Sequence, residues 1–368
     1  DLQNAIEMVA RIDRLPKRNS AQVAGLIREA WDQVDVYTHV CLRNKWHAKF
    51  LSVVLLVIPA VISILTVINL NCRESPCGAF QIPDAALRSF IVALSIVASF
   101  VSGFAAFSSP VTKWQQLRGA ALALESELWK FRTRTGDYTL KDASGANRYT
   151  ASEKAEDALF SFIEEIREHV MNAGTVSNTA FGAQLRPQVD EPPKNVSLIY
   201  KHGQYEEAQV CGTFGTAHLD DNHQTPLRPP EYIKFRLKPQ LDFYAQRLPK
   251  YERAHTFFEL FVVGAAMAGT AMATFGVSSW VAIVTAISAG VTSWAEFSSS
   301  ETKMTRYSTT IAAVSAILLW WNTLAPVERA NQANISRLVL ECEAAFQSER
   351  SSWVTSSMAS KSLAKAAE

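Results

Sequence analysis

The sequence predicts an all-α membrane protein made of two tandem two-span helical hairpin modules with long helical extensions into the cytoplasm. Two near-copies lie 190 residues apart, VSGFAAFSSPVTK at 101–113 and VTSWAEFSSSETK at 291–303, and each closes an apolar hairpin. A repeat of this kind sets the unit of the fold before any single element is assigned. Four runs long enough to cross a bilayer and clusters of basic residues on one side of each hairpin complete the prediction.

Residues 50–70 and 89–108 carry no Asp, Glu, Lys, Arg or His, and each is about the 20 residues that span about 30 Å of hydrocarbon in a helix. Residues 257–275 and 278–297 repeat the arrangement with Ala, Gly and Val, and their carboxylates, Glu259 and Glu296, fall near the ends where the interface is within reach. A fifth apolar stretch, 308–324, overlays residues 118–134 at the same offset. There Arg118, Glu125, Glu127, Lys130 and Arg132 forbid insertion, so 308–324 is expected as a helix continuing from the second hairpin and packed on protein.

Orientation follows from the flanks. Arg43, Lys45 and Lys49 precede span one, Lys113 and Arg118 follow span two, Arg247, Lys250 and Arg253 precede span three, and Lys303 and Arg306 follow span four. The opposite connections hold Arg73 and Arg88 as their basic residues in one hairpin and no charge in residues 276–279 of the other. Positive-inside bias then places both termini and the middle segment in the cytoplasm of a plasma or inner membrane. The first forty residues are charged and amphipathic and lack a signal-peptide core, so span one is expected to direct insertion. A start at Asp1 without Met is compatible with a piece of a longer protein.

Hydrophobic residues make up 48% of the chain and charged ones 19%, with a net charge of +1, which gives a general nucleic-acid role no electrostatic basis. Cys72 and Cys77 lie in the outer loop, where either a small disulfide ring or two free thiols fits the sequence; Cys41, Cys211 and Cys342 lack ligand spacing and read as buried thiols. No metal and no cofactor is expected.

The domain boundaries follow: a first two-span module over 1–180, a linker over 181–230, and a second module over 231–368. Between the hairpins, 112–134 reads as a helix running on from span two, and 152–173 as another with the stripe Leu159, Phe162, Ile163, Ile166 and Val170. Gly, Pro, Asn and Asp dominate 174–230, which admits a short strand at 196–200. A helix beginning with Tyr232, Phe235, Leu237, Leu241, Phe243 and Tyr244 leads into span three, and Ile335, Leu338, Val339, Cys342, Ala345 and Phe346 form a stripe near the C-terminal end.

The tandem hairpins, the segment 232–244 (YIKFRLKPQLDFY), the Trp320-Trp321 pair and the ending from Leu338-Val339 to Glu349-Arg350-Ser351-Ser352-Trp353 resemble the SLATT domains, two-transmembrane effector modules associated with SMODS and SLOG domains, DUF4231 among them. The second repeat matches better; in the first, Tyr37, Arg43 and Trp46 before the span and Trp114 and Trp129 after it occupy similar places. The resemblance implies a pore-forming effector of microbial conflict systems, gated by a cytoplasmic sensor that binds a nucleotide signal. The residues themselves show no Rossmann-like sensor, so that role is expected of a SLOG-type domain or partner.

Ser95, Ser99 and Gly103 recur every four positions on span two, as do Ala282, Ala286 and Gly290 on span four, giving each a small-residue face for helix contact. Ser95, Ser99, Ser102, Thr285 and Thr292 are candidates to line a narrow wet path, or else they belong to packing seams. Pro59 interrupts the hydrogen-bond ladder of span one and is a hinge or packing candidate. Glu296, whose repeat counterpart is Ala106, would form a ring at the cytoplasmic mouth of a symmetric oligomer, a device that favours cations; the alternative is a solvated interfacial carboxylate. Arg236, Arg247, Lys250 and Arg253 beside span three serve topology or bind an acidic headgroup or nucleotide.

No Walker loop, GxSxG, HExxH or GxGxxG motif occurs, so no enzymatic activity is expected. The densest polar group, Asp220-Asp221-Asn222-His223, reads as a turn, with a metal site as the alternative. The functional expectation is an oligomeric ion channel or membrane-disrupting effector, a dimer or tetramer in the lipid bilayer. The alternative is a non-conducting anchor that recruits signalling partners through its cytoplasmic helices.

Overall fold

The computed structural model describes residues 21–74, 84–139, 146–172, 221, 223–275 and 278–348, and its regular elements are all helical among these. In order they are α1 (Ala21–Glu74), α2 (Asp84–Ser108), α3 (Pro110–Thr133) and α4 (Ala146–Asn172). A single α-helical turn at Pro229–Tyr232 and a π-helical stretch Ile233–Leu237 lead into α5 (Lys238–Thr274), followed by α6 (Ser278–Ser298), α7 (Ser300–Thr323), a short helical turn at Pro326–Arg329 and α8 (332–348). The 196–200 strand, Cys77, Cys211 and the side chain of Cys72 lie outside the described residues.

The repeat is present in the backbone to the residue. Helices α2 and α6 end at Ser108 and Ser298, α3 and α7 begin at Pro110 and Ser300, and these end at Thr133 and Thr323, always 190 apart. The single residue between each pair is left-handed: Ser109 has φ 38° and Ser299 φ 49°. Each amide still closes the preceding turn, Ser109 N–H to the Ala105 carbonyl at 3.1 Å and Ser299 N–H to the Ala295 carbonyl at 3.0 Å. The helix expected to run on from span two is therefore interrupted. Pro110 has no N–H to carry the ladder across and suits the first position of a new helix, whereas the second repeat makes the same break without proline. Left-handed backbone costs an L-residue about 1–2 kcal/mol and is hardest on β-branched side chains. Ser299→Ile is expected to be less stable than Ser299→Gly by at least that amount, read from paired urea melts in detergent.

The chain forms two compact units, one of residues 1–43, 112–244 and 308–368 and the other of residues 44–111 and 245–307. The first is a helical bundle with its core on helix stripes. Ile27, Trp31 and Val34 on α1, Leu117, Ala121, Leu124, Leu128 and Phe131 on α3, and Leu159, Ile163 and Val170 on α4 are all buried. Leu338, Val339, Cys342 and Phe346 supply the stripe of α8. The 308–324 stretch belongs to this bundle, with Thr310, Val314 and Trp321 buried on one face of α7, while Leu319 on the other face is 68% exposed. After α3 the chain turns at Gly136, whose φ of 65° favours glycine and where a Cβ would lie 3.3 Å from Leu340 Cδ2, so that a side chain there is strained.

The second unit holds the spans. Among the described residues, four helical stretches are long and apolar enough to cross a bilayer, and no more than 6% of the most apolar window of any of them is buried within the chain. Phe100, Phe107, Leu260 and Met267 are each more than two-thirds exposed. Apolar surface on this scale is unfavourable in water and is accounted for by lipid or by other copies of the protein. Within the unit, Gly290 approaches span one, where Leu56 Cδ2 lies 3.4 Å from the position of a Cβ.

Candidate functional site

An open groove of about 880 Å³ runs between the first part of span three and the end of span four, within the span unit. Its polar lining comes from His255 and Glu259 on α5, Thr292 and Glu296 on α6 and Glu301 at the start of α7; Phe258, Val262 and Val263 line the rest. The left-handed break at Ser299, itself in the lining, is what brings Glu301 to the same groove as Glu296. His255 Nε2 lies 3.3 Å from a Glu259 carboxylate oxygen, one helical turn along α5. Three carboxylates along one groove produce a negative potential that attracts cations and repels anions.

Two of the sequence candidates, Thr292 and Glu296, are thus brought together, and Glu259 and Glu301 join them. The remaining hydroxyl candidates are dispersed. Ser95 and Ser99 donate to the carbonyls of Ile91 and Ser95 at 2.9 and 3.0 Å, and Thr285 donates to Ala282 at 3.0 Å. Thr292 likewise donates to Ser288 at 3.0 Å. Each therefore presents an acceptor oxygen outward while its hydrogen stays on its own helix. Ser102 and Gly103 are exposed, and a Cβ built on Gly103 meets nothing within 4 Å, unlike Gly290. Pro59 is exposed on α1, and its carbonyl accepts from Ser63 Oγ at 2.9 Å.

The bundle unit contains a second constellation, buried and ionic. Arg236, in the π-helical stretch, donates from Nε to Glu343 Oε1 at 3.1 Å and from Nη2 to Oε2 at 3.3 Å, and a third contact goes from Nη1 to Glu125. Tyr232 Oη donates to the same Glu343 Oε1 at 2.9 Å. Glu343 and Tyr232 are fully buried, and Arg236 is 7% exposed. Burial opposes the charge of Arg236, but Glu125 and Glu343 more than offset it, so the guanidinium holds its proton more firmly than a free arginine. Burial, reinforced by Glu343, pushes the Tyr232 phenol well above its ordinary range.

Arg132 on α3 makes the other buried pair. It donates from Nη1 to Asp221 Oδ2 at 2.7 Å and from Nη2 to Oδ1, and its Nε reaches the Thr225 carbonyl at 3.0 Å. The Leu227 amide returns to the Arg132 carbonyl at 2.8 Å, and Trp31 Nε1 donates to the His223 carbonyl at 2.9 Å, which pins 223–227 to the bundle. Burial works against the Asp221 carboxylate, but the hydrogen bonds and charge of Arg132, with His223, hold it below 3.8. The His223 amide donates to Asp221 Oδ1 at 3.2 Å, while Asp220 and Asn222 lie outside the described residues, and no metal-binding cluster occurs among the described residues. The Trp129 ring lies under both guanidiniums, 5.0 Å from that of Arg132 and 5.6 Å from that of Arg236.

Sequence reasoning named Arg236 in a basic cluster beside span three and Asp221 in a polar turn but foresaw neither pair; Arg236 does not join Arg247, Lys250 and Arg253 in an exposed cluster, because it is buried against Glu343 and Glu125. The one signal for Glu343 is a carboxylate inside the apolar stripe of Leu338, Val339, Cys342 and Phe346; for Arg236 it is a cation flanked by Phe235 and Leu237. Cys41 and Cys342 are buried thiols outside any disulfide, as expected, and Cys41 Sγ donates to the Trp114 carbonyl at 3.4 Å.

Comparison with known proteins agrees with the two-module organisation. The profile described as SMODS and SLOG-associating 2TM effector domain 1, SLATT_1, matches residues 232–353, and that of a protein of unknown function, DUF4231, matches residues 32–145. No curated protein and no solved structure matches the chain. The two profiles fall one on each repeat, and each includes one pair of apolar spans and one left-handed serine break. The chain is therefore an all-α membrane protein that carries SLATT-type two-transmembrane domains in tandem.

Proposed function

We propose that this protein is an oligomeric pore-forming effector whose opening is controlled from the cytoplasm by a nucleotide-sensing SLOG-type domain or partner. The groove that gathers Glu259, Glu296 and Glu301 beside Thr292 carries the reading, because carboxylates repeated around a symmetry axis concentrate cations at a mouth. The apolar windows of the spans are left almost uncovered by a single chain, which supports assembly of several copies around a shared path. The sensing role rests on the description of the matched family as SMODS- and SLOG-associating. The cytoplasmic side is that of the basic flanks.

Single-channel recording in planar bilayers with the purified chain tests this, with and without added nucleotides. Discrete conductance with a preference for K⁺ over Cl⁻ is expected, and Glu296→Gln should lower that preference by about twofold or more while leaving the protein folded. A silent bilayer at verified protein density, nucleotides present, favours the non-conducting anchor instead.

A further inference from the structure

The groove between α5 and α6 is acidic toward one end and apolar toward the other. Span three begins at 257 and span four ends at 297, so the depth of each lining residue follows from its distance to those ends. Glu259, Glu296 and Glu301 lie at or beside the span ends. Val262 and Val263 on α5 and Thr292 on α6 lie about one turn further in, and Val263 is 58% exposed, so the apolar part of the groove is open. Phe258 stands between the two parts and presents a ring to the lining.

We propose that this groove binds an organic ammonium ion with an apolar body, its charge among Glu259, Glu296 and Glu301 and its hydrocarbon against Phe258, Val262 and Val263. The proposal names a ligand class for the groove on which the pore reading rests. The sign of the charge follows from the lining. His255, 3.3 Å from one oxygen of Glu259, leaves the set net negative even when protonated, so a phosphate headgroup is repelled and a cation attracted. The apolar body follows from the deeper wall. A hydrated inorganic ion gains nothing from Val262 and Val263, whereas an alkyl or aryl group removes their surface from water. Phe258 serves both halves of such a ligand, because a ring face attracts an ammonium and packs on hydrocarbon. The volume of about 880 Å³ is that of a small-molecule site, which is typically about 300–1,000 Å³. Charge at the span ends with hydrocarbon below it is also the order that amphipathic cations adopt at a membrane interface.

Equilibrium dialysis of the full chain in phosphatidylcholine nanodiscs, with empty nanodiscs as the blank, tests the proposal using radiolabelled phenylbutyl-trimethylammonium. Saturable binding is expected. Tetramethylammonium, which lacks the apolar body, should bind about tenfold more weakly or less, and phenylbutanol, which lacks the charge, about fivefold more weakly or less. Glu259→Gln with Glu296→Gln should weaken binding of the phenylbutyl cation by about fivefold, and both side chains are exposed, so the packing of the unit stays in place. Val263→Ser should weaken the phenylbutyl cation and leave tetramethylammonium unchanged. Glu252→Gln removes an exposed carboxylate of α5 outside the lining and should alter neither. Phenylbutanol bound as tightly as the cation overturns the proposal in favour of a groove for a lipid chain, and tetramethylammonium bound as tightly reduces the site to an acidic patch. Binding unchanged in the Glu259 and Glu296 variant places the ligand elsewhere and overturns it too. So does the absence of saturable binding, in which case lipid or a second copy of the chain fills the groove. The readout needs no current: a silent bilayer with binding intact removes the pore reading alone, and conductance without binding removes this proposal alone.

Discussion

Arg236→Met is expected to destabilise the bundle unit by about 3–5 kcal/mol, because it leaves the Glu343 carboxylate buried without its counter-ion. The hydroxyl of Tyr232 remains as a donor, but one neutral hydrogen bond does not replace a guanidinium that contacts both carboxylate oxygens. The cost belongs to the stranded charge more than to the pair. Arg236→Met combined with Glu343→Leu should therefore recover most of the loss, since a buried pair replaced by apolar groups of similar volume is often neutral. Urea unfolding of the purified protein in micelles, followed by far-ultraviolet circular dichroism, measures both. A double variant no better than the single one would mean that the pair positions the π-helical stretch and does more than neutralise a charge.

Arg132→Met is expected to cost about 3 kcal/mol or more, with Asp221 buried without its partner, and to loosen 223–225, which loses the Nε contact to the Thr225 carbonyl while the main-chain bond from the Leu227 amide remains. Limited proteolysis should then cut in that segment, where the wild type resists. The same pair predicts an acid dependence. In the folded protein the Asp221 carboxyl titrates below its ordinary 3.8, so the unfolded chain takes up the proton first. Its contribution is complete above 3.8 and is lost as pH falls through the folded value. Wild type should lose stability across that window, and Arg132→Met should lose less of it, because its aspartate is no longer held down.

Much of the architecture was legible in residue order because it depends on local properties. Whether 50–70 can cross a membrane depends on the absence of charge over about 20 residues, and no distant part of the chain changes that. The stripes of α4 and α8 are equally local, since residues three and four apart share a helix face wherever the helix packs. The 190-residue repeat even anticipated that 308–324 packs on protein, because its counterpart in α3 is charged. What periodicity could not supply was the break at Ser109 and Ser299. A serine becomes left-handed for reasons of how the following helix must depart, and only Pro110 hinted at it.

The candidate site divides along the same line. Glu296 stood out as the one carboxylate at the end of span four, but Glu259 and Glu301 became its neighbours only through the pairing of α5 with α6 and the change of direction at Ser299. Arg236 and Glu343 are 107 positions apart, and Arg132 and Asp221 are 89 apart. In sequence each is an ordinary charge on a helix or in a loop, of the kind that is usually solvated.

By itself the sequence determined the helical class, the four spans, the duplication and the family, since each of these is written in short-range composition and pattern. Only the tertiary structure decided which charges lose their water, because burial is set by what other segments bring against a residue. Once water is gone, a charge must find its opposite, and those partners come from elsewhere in the chain.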